Sequence, residues 1–353
     1  MKAMKKLAGA ALLFACAFPI DAQDGCGVTR VSLYGRDSRM EYCEADAVLK
    51  TLSDSTVALF DSNSGLARDA STGRFKVGAA RLKDKNLSSG ERYREQPVEA
   101  FCSGFLVSED LVVTAGHCLR NDGVNSDPDV PYCVDLRLVF GYRIEKASRN
   151  PLEFSPKEVY ECGSVVDHRL DSSMDYAIIR LKRPVSGHRP LAVNRKHVIR
   201  SGTPLIVMGY PSGLPLKIAG DASVRRVDEY SFLSNLDTFG GNSGSPVLNA
   251  RTLMVEGILV SGKRDYEPDP ANPGFRRTSK YKITEGGERT IRISLISEQL
   301  PVHEFEQDML QMNGLVPDLY KHLLELDRNR DGGIRTVPYS VPAGERNPVR
   351  LNT

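Results

Sequence analysis

Short apolar runs separated by polar turns recur along the middle of the chain. Clusters of Gly, Pro, Asn and Asp, such as those at 121–123 and 211–213, bound these runs, and little helical periodicity lies between them. Apolar runs of this length, bounded in this way, predict β-strands. We expect strands at 56–60, 101–107, 111–115, 136–142, 176–181, 205–210, 255–260 and 291–296. The pattern therefore predicts an all-β antiparallel fold rather than βαβ units.

The pattern changes to a helical one near the end of the chain. Between 305 and 326, apolar residues recur mostly at spacings of three or four, with interruptions near Gly314 and Pro317. This periodicity predicts an amphipathic helix. Residues 301–353 are therefore expected to form a C-terminal helix and tail.

The amino terminus carries a separate apolar segment. Residues 7–20 follow three lysines and precede Asp21 and Ala22. This order of charged, apolar and small residues is typical of a secretory signal peptide, which we place at 1–22. The expected location is therefore secreted or periplasmic. In an alternative interpretation, Cys16 is lipidated and anchors the protein to a membrane.

Composition and charge restrict the function further. The 353 residues include 47 basic and 45 acidic side chains, a formal net charge of +2. A chain this close to neutral has no excess of cations for phosphate, so nucleic acid is not an expected partner. The apolar segment at 7–20 is shorter than the roughly 20 residues that cross a bilayer, so no integral membrane segment is expected.

The cysteines indicate disulfide bonds. Removing the signal peptide leaves an even number, which in an exported protein predicts disulfides rather than a metal site. No Cys-x-x-Cys pair or histidine cluster supports metal binding, and no cofactor is expected. These cysteines are Cys26, Cys43, Cys102, Cys118, Cys133 and Cys162.

Three segments carry the candidate chemistry. Residues 114–118 read Thr-Ala-Gly-His-Cys, residues 175–181 begin with an aspartate before an apolar strand, and residues 241–246 read Gly-Asn-Ser-Gly-Ser-Pro. Each segment alone is an ordinary loop or strand end. In the order His, Asp, Ser they resemble the chymotrypsin-like serine peptidases of the trypsin superfamily, in their bacterial trypsin-like or glutamyl-endopeptidase-like branch.

The resemblance covers residues 101–262 and implies two six-stranded antiparallel β-barrels with the catalytic residues in the cleft between them. It places the peptidase domain at 101–300. Residues 23–100 then form an N-terminal segment, interpreted as part propeptide and part first barrel.

The resemblance also assigns roles to residues. A serine hydroxyl needs a base within hydrogen-bond reach before it attacks an amide, so Ser243 is the expected nucleophile and His117 the base. Asp175 is expected to hold the imidazole in one tautomer and to stabilise its charged form. The backbone amides of Gly241 and Ser243 are expected to bind the oxyanion.

Two nearby residues, Asp167 and Asp171, are alternatives to Asp175. Asp175 is preferred because the apolar run that follows it predicts a buried strand, which would hold the carboxylate against the histidine.

Cys102 and Cys118 are implied by the resemblance to form a disulfide beside the histidine. The remaining four cysteines of the mature chain allow three pairings. Sequence proximity favours Cys26 with Cys43 and Cys133 with Cys162.

Substrate preference is predicted from the pocket residues. Asp237 lies six residues before Ser243, where trypsin-like relatives carry the pocket floor that pairs with Lys or Arg. Glutamyl relatives place a histidine where Leu259 stands here. We therefore expect an endopeptidase that cleaves after basic residues. The alternatives are a glutamyl-type endopeptidase and a non-catalytic peptide-binding or adhesion protein. The predicted pocket residues are Asp237, Thr238, Leu259, Val260, Ser261 and Gly262.

A segment near the end of the chain partly matches a calcium-binding loop. Residues 327–334 match the first eight positions of an EF-hand loop through Asp327, Asn329 and Asp331. The twelfth position is Pro338 rather than a bidentate Glu. The segment is therefore interpreted as a turn that ends a helix, and no metal site is predicted.

Overall fold

The computed structural model describes Tyr34 and residues 37–120, 131–147, 149–195, 198–303 and Glu306. Several predictions fall outside these residues: the signal peptide at 1–22, the lipid site at Cys16, Cys26, and the loop with Asp327, Asn329 and Asp331. Of the C-terminal helix predicted at 305–326, only Glu306 is described.

The described part of the chain is dominated by short β-strands. In chain order they are β1 Arg39–Glu41, β2 Thr56–Asp61, β3 Leu66–Arg68, β4 Phe75–Val77, β5 Cys102–Leu106, β6 Leu111–Thr114, β7 Leu136–Val139, β8 Glu153–Phe154, β9 Val159–Leu170, β10 Asp175–Leu181, β11 Pro204–Gly209, β12 Lys217–Val227, β13 Ser231–Ser234, β14 Pro246–Asn249, β15 Val255–Ser261, β16 Tyr266–Pro268, β17 Arg276–Thr278 and β18 Glu288–Arg292.

Six antiparallel strands close the first barrel in the order β10-β6-β5-β2-β7-β9. Its interior is packed with aliphatic and aromatic side chains, among them Phe60, Phe105 and Ile178, all fully buried. Closure of the barrel pairs every strand on both edges, so no strand edge of the ring is left unpaired.

The second barrel closes in the order β12-β11-β14-β15-β18-β13, because β13 pairs with both β18 and β12. The short strand β1 adds to the outer edge of β12, with Met40 opposite Ile218. A segment from the start of the described chain is thus part of the second barrel. The expectation of two six-stranded antiparallel barrels is confirmed.

Two small sheets lie outside the barrels, one built from β3, β4 and β8 and the other from β16 and β17. A single α-helix is described, α1 at Ala47–Ser53, with Asp46 as its N-cap accepting from Leu49 N at 2.9 Å. No described helix has the length and apolarity needed to cross a membrane. The 3-10 turns are Tyr42–Glu44, Leu82–Lys85, Gly116–Leu119, Pro156–Glu158, Pro211–Gly213, Ile293–Leu295 and Ser297–Gln299.

Most of the predicted strands are found within about two residues of their expected bounds, but the strand expected at 136–142 ends three residues early, at Val139. The strand expected at 291–296 instead ends at Arg292, and the chain turns into a 3-10 segment at Ile293–Leu295. Its true start, Glu288, is polar and was missed because the prediction began at the first apolar residue. The long strands β9 and β12 were also missed, because they mix polar with apolar positions.

Two disulfides lie in the first barrel. Cys102 and Cys118 are joined with a Cα–Cα distance of 6.1 Å, and Cys133 and Cys162 with 5.8 Å. Both pairs are those that the sequence analysis favoured, and they are typical of an oxidising compartment. Cys43 is disulfide-bonded as well. Its expected partner Cys26 lies outside the described residues.

Replacing both Cys133 and Cys162 by serine should lower the free energy of unfolding by about 3 to 4 kcal/mol. The bond spans a sequence separation of 29 residues, and chain entropy of the unfolded state sets the expected size. Urea unfolding of the double variant beside the parent measures the difference. A loss below about 1 kcal/mol would contradict the entropic account.

Candidate active site

The pairing of β6 with β10 brings His117 to Asp175. Ala177 lies opposite Thr114 in this ladder, so the end of β6 is next to the start of β10. The chain leaves β6 and enters the 3-10 turn Gly116–Leu119, which carries His117. Gly116 is required for this approach, because a Cβ there would lie 2.6 Å from the carbonyl oxygen of Arg169.

His117 and Asp175 make two hydrogen bonds. Nδ1 of His117 lies 2.8 Å from Oδ2 of Asp175, and the backbone N–H of His117 donates to Oδ1 at 3.0 Å. The Asp175 residue is buried, whereas the His117 side chain is about one-third exposed. With Nδ1–H donating to the carboxylate, the lone pair of the neutral ring is on Nε2, the nitrogen that can accept a proton.

The other two candidate aspartates have different partners. Asp167 accepts the Tyr176 hydroxyl at 2.5 Å, and Asp171 accepts the backbone N–H groups of Ser173 and Met174. Asp171 therefore organises the turn between β9 and β10. Neither makes a described hydrogen bond to His117.

Ser243 lies in the loop between β13 and β14 of the second barrel, and this loop packs on the first barrel. A Cβ at Gly244 would lie 2.0 Å from the carbonyl oxygen of Ser103 and 3.0 Å from the nitrogen of Ala115. Gly244 also has a φ of +87°, which favours glycine. The loop therefore sits against the same end of β6 that leads to His117.

Ser103 holds the Ser243 loop in place and was missed by the sequence analysis. Its backbone N–H donates to the carbonyl oxygen of Ser243 at 2.8 Å, and its hydroxyl donates to that of Gly241 at 2.7 Å. The same hydroxyl oxygen accepts the N–H of Tyr210 at 3.1 Å. A polar residue inside the apolar run 101–107 was the available indication, because buried polar groups need partners.

The backbone around Gly241 leaves two amides free. Gly241 has a φ of +98°, and a Cβ there would lie 2.5 Å from the carbonyl oxygen of Tyr210. The Gly240 carbonyl accepts the Ser212 N–H, and in a trans peptide the next N–H, that of Gly241, points the opposite way. Within the described residues, the N–H groups of Gly241 and Ser243 donate to no protein acceptor.

A cavity of about 300 Å³ opens beside Ser243. Four of the predicted pocket residues line it: Thr238, Leu259, Ser261 and Gly262. The cavity is also lined by Phe239, Gly240, Lys263, Arg264, Asp265 and Glu288, which the sequence analysis did not assign to a pocket.

Asp237 and Val260 are not among the residues that line this cavity. Asp237 is buried, and its carboxylate accepts Tyr34 N at 3.0 Å, Ser38 N at 3.0 Å and Ser38 Oγ at 2.9 Å. This differs from the expected position at the pocket floor. The physical reason is that the segment just before β1 supplies three donors, which hold the carboxylate on the side of that segment.

Glu288 is the buried carboxyl group at the cavity. It begins β18 opposite Ser234 of β13, a position that sequence spacing from Ser243 does not indicate. Burial raises the pKa of Glu288 to about 7. Hydrogen bonds from Thr238, Lys263 and Tyr34 oppose the rise, and the neighbouring Asp265 adds to it.

The sulfur atoms of Cys102 and Cys118 and a ring nitrogen of His117 lie within 4.8 Å of one another. The two sulfurs are bonded to each other, so they are not thiolate ligands for a metal ion. The disulfide instead connects β5 to the turn that carries His117.

Comparison with known families gives one match. Residues 102–258 match the trypsin-like peptidase domain, somewhat less than half of the chain. This confirms the resemblance predicted from the three sequence segments, and the two closed barrels are those of a chymotrypsin-like fold. Residues 102–258 therefore form a trypsin-like peptidase domain, the domain of a serine peptidase.

Solved structures with similarity include a Glu endopeptidase in complex with MPD, at 14% identity and a TM-score of 0.43, covering 80% of this chain and 98% of that one. The VesB protease of Vibrio cholerae has 15% identity and a TM-score of 0.44, covering 76% and 66%. The active form of the Rv3671c protease of M. tuberculosis has 16% identity and a TM-score of 0.39, covering 71% and 82%. No curated protein sequence matches.

The raised pKa of Glu288 predicts a pH-dependent stability. Between the ordinary value of 4.5 and about 7, the folded state holds a proton that the unfolded state has released. The contribution of Glu288 to the free energy of unfolding should therefore fall as the pH rises through this range, by up to about 3 kcal/mol.

Urea unfolding of the parent and of Glu288→Gln from about pH 4.5 to about pH 8 measures this contribution as a difference, which removes the titration of other groups. Parallel profiles for the two proteins would contradict the prediction.

Proposed function

We propose that this serine peptidase is an exported endopeptidase that hydrolyses peptide bonds through an acyl-enzyme at Ser243. The observation that carries the proposal is the contact between His117 Nδ1 and Asp175 Oδ2 at 2.8 Å. This contact leaves Nε2 as the ring nitrogen that can accept a proton. The structural neighbours, at under 25% identity, add no argument for activity or specificity.

In the first chemical step, the Ser243 hydroxyl oxygen bonds to the substrate carbonyl carbon while His117 Nε2 takes the hydroxyl proton. Asp175 stabilises the imidazolium that results. The proton then passes from His117 to the leaving amine as the peptide bond breaks. A water molecule, deprotonated by His117 in turn, attacks the ester carbon. The ester bond then breaks, the acid product leaves, and His117 returns the proton to the Ser243 oxygen.

The negative charge on the attacked carbonyl oxygen needs donors that are already in place. The N–H groups of Gly241 and Ser243 supply them, since neither is used by a described protein acceptor. Removing one such donor costs about 3 to 4 kcal/mol of transition-state stabilisation in related chemistry. The constrained backbone at Gly241 keeps these donors oriented without reorganisation during the reaction.

The preferred substrate is a polypeptide cleaved after a basic residue. Two carboxyl groups, Asp265 and Glu288, line the cavity beside Ser243 together with Lys263 and Arg264. Because Lys263 is paired with Glu285, we expect the two carboxyl groups to favour a cationic side chain over an acidic one. Leu259 also lines it and offers no hydrogen bond to a substrate carboxylate. A glutamyl-type endopeptidase and a non-catalytic peptide-binding protein are the alternatives that the experiments below separate.

Export to an extracellular or periplasmic compartment is the expected location. Disulfides of the kind seen in the first barrel form and persist under oxidising conditions. Fatty-acid labelling of the expressed protein distinguishes a lipid anchor at Cys16 from release after residue 22.

A phosphonofluoridate should label the protein at Ser243, because only an activated hydroxyl attacks phosphorus at a useful rate. Ser243→Ala should remain unlabelled and should reduce peptide hydrolysis by on the order of 10⁶-fold while keeping the fold. Mass spectrometry of the labelled peptide locates the adduct. An unlabelled parent protein with intact circular dichroism would identify a peptide-binding protein instead.

Asp175→Asn should lower kcat by on the order of 10⁴-fold, because the amide favours the tautomer with the proton on Nε2. Asp171→Asn is the matched control, since Asp171 organises the β9–β10 turn and pairs with Arg169 rather than with His117, and it should retain most of the activity. Steady-state kinetics on one peptide substrate compare the two. A greater loss in Asp171→Asn than in Asp175→Asn would contradict the assignment.

A further inference from the structure

Glu288 is enclosed by three hydrogen-bond donors from three parts of the chain. Oε1 accepts the Tyr34 hydroxyl at 3.2 Å and the Lys263 N–H at 3.2 Å, and Oε2 accepts the Thr238 hydroxyl. An ionised carboxylate offers about four acceptor positions. One position, on Oε2, therefore remains for a further donor.

The remaining acceptor position on Oε2 lies next to a glycine, Gly262. A Cβ at Gly262 would lie 2.0 Å from Oε2 of Glu288, and Gly262 lines the cavity. Because Gly262 has no side chain, the Glu288 carboxylate packs directly against its backbone, and both residues line the cavity. A cationic group that enters beside Ser243 can therefore reach this carboxylate.

Of the two cations that line the cavity, Lys263 and Arg264, Lys263 is already paired elsewhere. Nζ of Lys263 lies 2.5 Å from Oε2 of Glu285 and over the ring of Tyr281, at 4.4 Å from its centroid. Lys263 thus meets Glu288 through its backbone N–H. The second cavity carboxylate, Asp265, accepts the Gly240 N–H at 2.8 Å and adds negative charge to the same space.

We propose that Glu288, rather than Asp237, is the specificity-determining residue that binds the lysine or arginine side chain of the substrate. The proposal rests on the function proposed above and names the substrate class of the same site. Asp237 acts instead as a positioning residue, because its three described donors come from Tyr34 and Ser38.

The pKa of Glu288, raised by burial to about 7, makes this selectivity depend on pH. The titratable groups that face Glu288 are Tyr34, Lys263 and Asp265, with Glu285 behind Lys263. Glu288 becomes an anion as the pH rises through neutrality, so cationic substrates should gain relative to neutral ones. The value of kcat/KM reports the ionisation of the free enzyme.

The test uses peptides that differ only at the residue before the cleaved bond: arginine, its uncharged analogue citrulline, and glutamate. The measured quantity is the ratio of kcat/KM for arginine to that for citrulline, in which pH effects common to both substrates cancel. The parent ratio should rise from about pH 6 to about pH 8. In Glu288→Gln it should fall by about 30-fold or more and lose its pH dependence.

Asp237→Asn is the matched variant, because it also replaces one oxygen of a buried carboxyl group by an amide nitrogen. Its arginine-to-citrulline ratio should stay within about threefold of the parent, whatever happens to its overall rate. Gly262→Ala is a second probe, because its Cβ would fall 2.0 Å from Oε2 and force the Glu288 carboxylate to move without removing its charge, which should also lower the ratio. It keeps the test usable where Glu288→Gln folds poorly.

A phosphonofluoridate that carries no substrate-like side chain tests the Ser243 hydroxyl without using the pocket. Labelling with it therefore separates this proposal from the proposed function. Failure of the parent to label overturns the proposed function. If Glu288→Gln labels normally and its arginine-to-citrulline ratio is unchanged, the role of Glu288 is overturned while the proposed function stands. The same holds if the ratio collapses in Asp237→Asn but not in Glu288→Gln. A parent that prefers glutamate over both other residues also overturns the role of Glu288.

Discussion

The hydrogen bonds of Ser103 join the two barrels at the point where the candidate active site forms. Ser103 belongs to β5 of the first barrel and is fully buried, yet it bonds to the carbonyl oxygens of Ser243 and Gly241 in the second. The carbonyl oxygen of Ser103 in turn accepts the Thr114 hydroxyl at 2.7 Å, just before the His117 turn. Ser103 therefore fixes the Ser243 loop relative to the turn that carries His117. Catalysis by residues that are distant in sequence requires such a fixed relative position.

The cavity beside Ser243 shows a balance between burial and hydrogen bonding. Burial disfavours the charged form of Glu288, while donors from Tyr34, Thr238 and Lys263 favour it. The result is a carboxyl group with a pKa of about 7. Such a group can be neutral in the empty cavity and charged when a cation arrives. The cost of holding a buried charge is thereby avoided until a partner compensates it.

Sequence reasoning predicted the elements with strong local patterns and missed features set by long-range packing. The strands near His117 and Asp175 were predictable because apolar runs mark buried strands, and the match over residues 102–258 confirms the family resemblance. Spacing from Ser243 suggested Asp237 as the pocket floor. That inference could not account for Tyr34 and Ser38, whose contacts with Asp237 span about 200 positions in the chain. Glu288 was missed for the same reason.

The segment before and within β1 is part of the second barrel and of its pocket. Asp37 pairs with the buried Arg39, whose guanidinium lies 4.2 Å from the ring centroid of Phe239, a residue of the cavity wall. Tyr34 contacts both Asp237 and Glu288. A proteolytic cut just after Tyr34 would remove the hydroxyl that donates to Glu288 and one N–H that donates to Asp237. A cut after β1 would remove, in addition, the Ser38 donors and the strand that extends the second barrel at β12.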